Sequence, residues 1–187
     1  FYGFWCSDLF IKRVRADGEW TLFCPNKAKG LADVWGAEFE EKYTWYEEQA
    51  KLGKMTHFKV IKARKLWREL IMTQIETGMP YMTYKDNITR KSAQQNLGTI
   101  RNENLCTEIA LYTKPDEFIA TCNLASVSLN VCVDLETRSF DFEKLYTLVQ
   151  ELVVNVNNVV DRNYYQPQTP CIETTNMDLR PLGIGVQ

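Results

Sequence analysis

The chain has 187 residues, 45% of them hydrophobic and 25% charged, and a net charge of -2. That length suffices for one domain with a sizeable core, and the near-neutral charge, with no long basic run, argues against nucleic acid as the main partner. No apolar stretch approaches the length of a membrane span, so no membrane partner is expected.

The six cysteines include no CxxC pair, and His57 is the sole histidine. In a chain of this length they read as reduced thiols in a cytoplasmic protein, not as a disulfide scaffold or a zinc site. The opening FYGFWCSDLF has no basic region leading into a clean apolar run, so it does not read as a signal peptide. It lacks a starting Met, and the closing RPLGIGVQ stops in an apolar, glycine-punctuated run. Both ends are expected to be cuts, with residues 1–187 a single incomplete segment.

Ser7 is placed to cap a short helix over residues 8–15, and Asp17-Gly18 marks a turn. Residues 20–24 read as a strand stopped by Pro25. Residues 27–34 read as a loop or short helix. A charged surface helix follows over 38–51, with Phe39, Tyr43 and Tyr46 on its inner face and Gly53 ending it. The clearer helix covers 59–77, where Val60, Ala63, Trp67, Leu70, Ile71 and Ile75 keep helical spacing and Gly78 is the C-terminal cap. Residues 80–84 read as a strand, 85–96 as a polar loop and 97–109 as extended or loop-like. Within 117–133 the run TCNLASVSLNVCV fits a buried strand running into a helix. The last strong helix is 141–162, capped by Asp141 and apolar along Leu145, Leu148, Leu152, Val156 and Val160. Pro167 and Pro170 are expected to end regular structure. Helices alternating with short apolar strands indicate an α/β fold.

The stretch NLCTEI, residues 104–109, carries the most chemistry. In an extended strand, Asn104, Cys106 and Glu108 would project from one face, with Leu105 and Thr107 on the other. That face would present an amide, a thiol and a carboxylate: a hydrogen-bonding group, a radical or nucleophilic centre, and a general base. Each residue also has a plainer explanation. A lone cysteine is commonly a small buried apolar residue, Glu108 could face solvent, and Asn104 suits a turn. Against these, a core thiol would not share its face with an unpaired amide and carboxylate, whose burial costs on the order of a few kcal/mol. On spacing alone, Cys122 and Cys132 read as core cysteines, and Cys6, Cys24 and Cys171 carry no motif. Gly183 and Gly185 form a GxG too weak to imply a dinucleotide. Trp35, Trp45 and Trp67 are most simply packing residues.

Several segments resemble, in order, the large catalytic subunit of class I ribonucleotide reductase. They are SDLFIKRV near the start, ETGMPYMTYKDN (76–87), QQNLGTI (94–100), NLCTEI (104–109), CNLASVSLN (122–130), DRNYY (161–165) and RPLGIGVQ (180–187). The resemblance covers essentially the whole chain. It implies part of a ten-stranded α/β barrel, two half-barrels of parallel strands flanked by helices, with a finger loop through the centre. NLCTEI matches the tip of that finger. Cys106 matches the cysteine that becomes a thiyl radical and takes hydrogen from C3′ of a ribonucleoside diphosphate. Glu108 matches the carboxylate that takes the 3′-hydroxyl proton. Asn104 matches the amide that hydrogen-bonds the substrate and helps hold Glu108. Cys122 matches one of two cysteines that reduce the 2′ position and end as a disulfide.

The resemblance also implies what lies elsewhere. No cofactor is bound by this segment. The radical comes from a metal-containing small subunit, and allosteric nucleotides bind elsewhere in the full subunit. The implied partners are the remaining segments of the large subunit, a second large subunit in a homodimer, the small radical-generating subunit, thioredoxin or glutaredoxin as reductant, and the ribonucleoside diphosphate. The partner of Cys122, the phosphate loop, the radical-relay tyrosines and the C-terminal cysteine tail match nothing here; Tyr164-Tyr165 matches a different, structural stretch. The expectation is a fragment of a ribonucleoside-diphosphate reductase serving DNA precursor synthesis, inactive alone. Two alternatives stand beside it: a non-catalytic scaffold of the same fold, and a class II-type reductase with a cobalamin radical generator. The intact Asn104, Cys106, Glu108 and Cys122 weigh against the first, and the wording of MPYMTYKDN and NLCTEI weighs against the second.

Overall fold

The computed structural model describes residues 2–187. The chain divides into two compact units, Phe1–Tyr112 and Thr113–Gln187.

In the first unit the elements run β1 (Gly3–Cys6), α1 (Asp8–Arg15), β2 (Glu19–Phe23), α2 (Gly36–Lys51), β3 (Phe58–Lys62), α3 (Ala63–Thr77), β4 (Tyr81–Tyr84) and α4 (Lys85–Lys91). β1 and β4 pair in parallel, Gly3 opposite Tyr81 through Cys6 opposite Tyr84. β2 and β3 form an antiparallel pair, Glu19 opposite Lys62 and Phe23 opposite Phe58. Ser7 caps α1 by accepting from the Phe10 amide at 3.3 Å, and Gly78, at φ +75, closes α3 in the left-handed region. One core cluster joins Leu9, Val34, Phe39 and Tyr43. A second joins Cys6, Phe10 and Ala63, with Trp67 and Met82 packed against it.

The start of α4 ties these elements together. Asp86 is buried and accepts from the amides of Asp8 at 2.7 Å and Gly36 at 2.5 Å, the first residues of α1 and α2. A carboxylate between two helix N-termini meets both orphan N–H groups and favourable dipole ends. Lys85 is buried beside it and donates to the carbonyls of Leu31 and Ala32. Burial pulls its pKa down to about 8, opposed by the charges of Asp86 and Asp33.

In the second unit, β5 (Asn123–Val127) leads into a 3-10 turn, Leu129–Cys132. Then come β6 (Val133–Asp134), β7 (Ser139–Phe140), α5 (Phe142–Arg162), α6 (Pro170–Leu179) and β8 (Leu182–Val186). β5 and β8 pair in parallel, Asn123 opposite Leu182 through Val127 opposite Val186. α5 lies against this pair and buries Val156 and Val160. Asp141 caps α5 by accepting from the Lys144 amide at 2.9 Å.

The α/β class and the long helices stand as expected. Four local expectations are corrected. Residues 58–62 form β3, not the first turn of a helix, because they pair along the whole of β2. Residues 85–91 form α4 instead of a loop, with Asp86 engaged at two helix starts. The run after β5 is a 3-10 turn instead of an α-helix. Pro170 opens α6 instead of ending structure, since the first helical position needs no N–H donor. Among the described residues the strands form two-stranded pairs and no closed sheet. No helix among them is long and apolar enough to cross a membrane.

Candidate functional site

Ile100 is fully buried in the first unit and anchors the segment that carries Asn104, Cys106 and Glu108. The segment is not a strand. A tight turn runs through Leu105 and Cys106, and Thr107 follows at φ +66, a left-handed backbone that reverses the chain. The Thr107 amide donates to the Asn104 carbonyl at 3.2 Å. The Asn104 amide donates to the Ile109 carbonyl at 3.1 Å, and Asn104 Oδ1 accepts from the Ile109 amide at 3.0 Å. Asn104 therefore clasps both limbs of a closed turn, with the exposed Cys106 thiol at its apex.

The expected strand face does not form. Alternation does not bring the trio together, because the turn interrupts it at Thr107. The turn instead presents Cys106 outward and sends its neighbours to two clefts. Asn104 lines one of about 210 Å³, together with Gly3, Trp5, Tyr81 and Thr83. Glu108 lines the other, of about 650 Å³, with Tyr84, Asn87 and Lys91. The turn function considered for Asn104 and the substrate-holding function are compatible. Its Oδ1 serves the turn, and its amide nitrogen engages no other protein group among the described residues.

Glu103 borders both clefts and was not singled out by the sequence. Among the described residues its Oε2 is buried without a hydrogen-bond partner. Burial pushes its carboxyl pKa up, and a hydrogen bond with the Thr83 hydroxyl of β4 opposes that. No sequence signal marks it, because Asn102-Glu103-Asn104 reads as an ordinary polar turn.

Cys122 belongs to the second unit, one residue before β5, and is half-buried. Its thiol lies 3.9 Å from the Asn123 carbonyl. The Asn123 amide donates to Pro181 at 3.1 Å, and Asn123 Nδ2 reaches Asn176 Oδ1 at 2.9 Å and the Pro181 carbonyl at 3.3 Å. The backbone beside the sulfur is thus fixed at the start of the parallel pair. Cys132 is a core cysteine as expected, 1% exposed. Cys6 is equally buried, and burial, reinforced by Asp8 and Asp86, pushes its thiol up to about 12. Such a thiol stays protonated and inert at neutral pH. No group of three or more His, Cys, Asp or Glu side chains suited to a metal occurs among the described residues.

Comparison with known proteins adds to this geometry. The family model described as "Ribonucleotide reductase, barrel domain" matches residues 1–187. The chain is 49% identical to the ribonucleoside-diphosphate reductase large subunit of Arabidopsis thaliana, over 100% of this chain and 24% of that protein. It is 49% identical to large chain 2 of Saccharomyces cerevisiae, covering 21% of that protein, and 50% identical to the large subunit of Vaccinia virus (strain Copenhagen), covering 23%. In each case this chain spans a quarter or less of the relative's length.

Proposed function

Because this chain belongs to the ribonucleotide reductase family, matching its barrel domain over residues 1–187, we propose that it supplies the thiyl turn and one reducing thiol for ribonucleoside diphosphate reduction. The observation that carries this reading is the closed turn, which holds an exposed thiol at its apex between Asn104 and Glu108. A radical centre needs its sulfur presented, not packed, and needs a rigid seat. Asn104 supplies that seat through both limbs of the turn.

A Cys106 thiyl takes hydrogen from C3′, breaking that C–H bond and forming S–H; the two bonds are close in strength. Glu108 takes the 3′-hydroxyl proton, which helps expel the 2′-hydroxyl as water. Cys122 and a second thiol outside this chain become one disulfide: one of their two protons leaves with the 2′-hydroxyl as water, the other joins the electron pair in the new C2′–H bond, and Glu108 returns its proton to the 3′-oxygen. The C3′ carbon recovers its hydrogen from Cys106, and the thiyl is regenerated. A dithiol protein such as thioredoxin or glutaredoxin resets the disulfide by exchange. The radical comes from a separate metal-containing small subunit, and allosteric nucleotides bind elsewhere in the full subunit. The remaining segments of the large subunit, and a second large subunit, complete the assembly.

The test is reconstitution of this chain with the flanking large-subunit segments and the small subunit, measuring ribonucleoside diphosphate reduction. Cys106→Ser is expected to remove turnover, and Glu108→Gln to lower it by on the order of 10²–10⁴. The chain alone is expected to show none. Wild-type turnover by Cys106→Ser would refute the thiyl assignment, and no turnover by the wild-type assembly would leave the scaffold alternative in its place.

A further inference from the structure

The β5–β8 register sets Gly183 opposite Leu124, beside the Cys122 thiol. A Cβ on Gly183 would lie 3.2 Å from Cys122 Sγ and 2.6 Å from Leu124 Cδ2. Gly183 is not among the residues with positive φ, so its backbone does not require glycine. A glycine inside a strand is otherwise unfavourable, and often marks a close approach. The two contacts differ in kind. Leu124 is 61% exposed, and its methyl is the far end of a flexible side chain that can turn outward. The thiol has less choice, because Asn123 pins the neighbouring backbone to Pro181 and Asn176. Only the cysteine side-chain torsion remains to move the sulfur, and a Cβ at position 183 would restrict that torsion. Gly185 provides a contrast on the same strand, two residues along. A Cβ there would meet only Ser126 Oγ at 3.6 Å and the Ala125 carbonyl at 3.9 Å, ordinary contacts.

We propose that Gly183 is a positioning residue for Cys122, its missing side chain being the clearance through which the thiol moves between substrate and disulfide partner. The proposal rests on Cys122 being a reducing thiol, as argued above. Thiol–disulfide exchange needs an approach along the line of the breaking S–S bond, so a sulfur confined to one torsional well exchanges slowly.

The test uses the full chain and needs no turnover. The rate of mixed-disulfide formation at each cysteine with an aromatic disulfide reagent is measured by mass spectrometry. Gly183→Ala is expected to slow Cys122 by roughly tenfold and leave Cys106 unchanged, since small misplacements of reacting atoms cost rates of that order or more. Gly185→Ala is expected to leave both at wild-type rates. Gly183→Ala combined with Leu124→Ala removes the tighter contact, keeps the thiol contact, and should still slow Cys122 relative to Leu124→Ala alone. A wild-type Cys122 rate in Gly183→Ala would overturn the proposal, as would equal slowing by Gly185→Ala. Loss of the folded circular dichroism signal in both Gly183 variants would also overturn it, assigning the space to folding. A different outcome, full turnover by Cys122→Ser in the reconstituted enzyme, would remove Cys122 from the chemistry without altering these rates.

Discussion

Glu103 carries a carboxyl oxygen that no group among the described residues satisfies. Burial raises its pKa above the ordinary 4.5, against the opposing hydrogen bond with Thr83. The folded chain therefore holds this proton more tightly than the unfolded chain. The stability it contributes is full below 4.5 and is lost as pH rises through the folded value. At neutral pH the ionised group is a liability beside the turn. Glu103→Gln should accordingly raise the urea midpoint of the first unit at neutral pH, and that advantage should shrink as pH falls to the ordinary carboxylate range. An advantage of the same size at both pH values would refute the assignment. Glu103 also shows where residue-level reading stops. Alternation marks Asn104, Cys106 and Glu108, but their identities carry the chemistry, because the left-handed Thr107 breaks the alternation. The turn that presents Cys106 depends on a left-handed Thr107 and on Ile109 closing back to Asn104. A threonine gives no warning of positive φ. The orphaned oxygen of Glu103 depends on β4 lying beside it, and that proximity is long-range information.

Among the elements, helix ends were the most legible because their chemistry is local. Ser7, Asp141 and Gly78 each cap the helix assigned to them. The elements misread were those decided by distant partners. Lys59, Val60 and Ile61 could continue the helical pattern of α3, but pairing with β2 makes them a strand. α4 is polar and short, and its reason to exist is Asp86 joining the starts of α1 and α2 from far along the chain. Asp86→Asn tests that role. The side chain keeps its size, but its nitrogen would face a backbone donor, and the charge favoured by two helix N-termini is lost. Bonds to charged groups and buried unpaired donors each count for a few kcal/mol, so a loss of about 3 kcal/mol is expected. Urea denaturation measures it. Amide exchange at Asp8 and Gly36 should accelerate more than exchange within α3. A loss below about 0.5 kcal/mol, the range of an ordinary surface substitution, would mean that the two bonds do not hold the elements together.

For the molecule as a whole, the resemblance made the fold class and the order of segments legible, but not the pairing. Barrel strands lie in one continuous sheet. Here the parallel strands lie in separate pairs, β1 with β4 and β5 with β8. Parallel sheets are normally covered on both faces, yet Leu124 of β5 and Val186 of β8 are 61% and 65% exposed. Two-stranded pairs of this kind depend on the helices packed against them for stability. The two units are not equally provided. The first buries Leu9, Phe10, Phe39, Tyr43 and Ile100, several of them aromatic, around α1 and α2. The second relies on Val127, Val156 and Val160 under α5. Smaller buried side chains remove less apolar surface from water, at about 25 cal/mol per Å². The second unit should therefore open first. Cys6 and Cys132 are each 1% exposed and lie in different units, so they report on them separately. In pulse alkylation across a urea series, Cys132 is expected to become reactive at a lower concentration than Cys6, by roughly 1 M for a difference of a few kcal/mol. Coincident midpoints would show that the two units unfold as one cooperative body, in which the packing around α1 and α2 supports the weaker packing under α5.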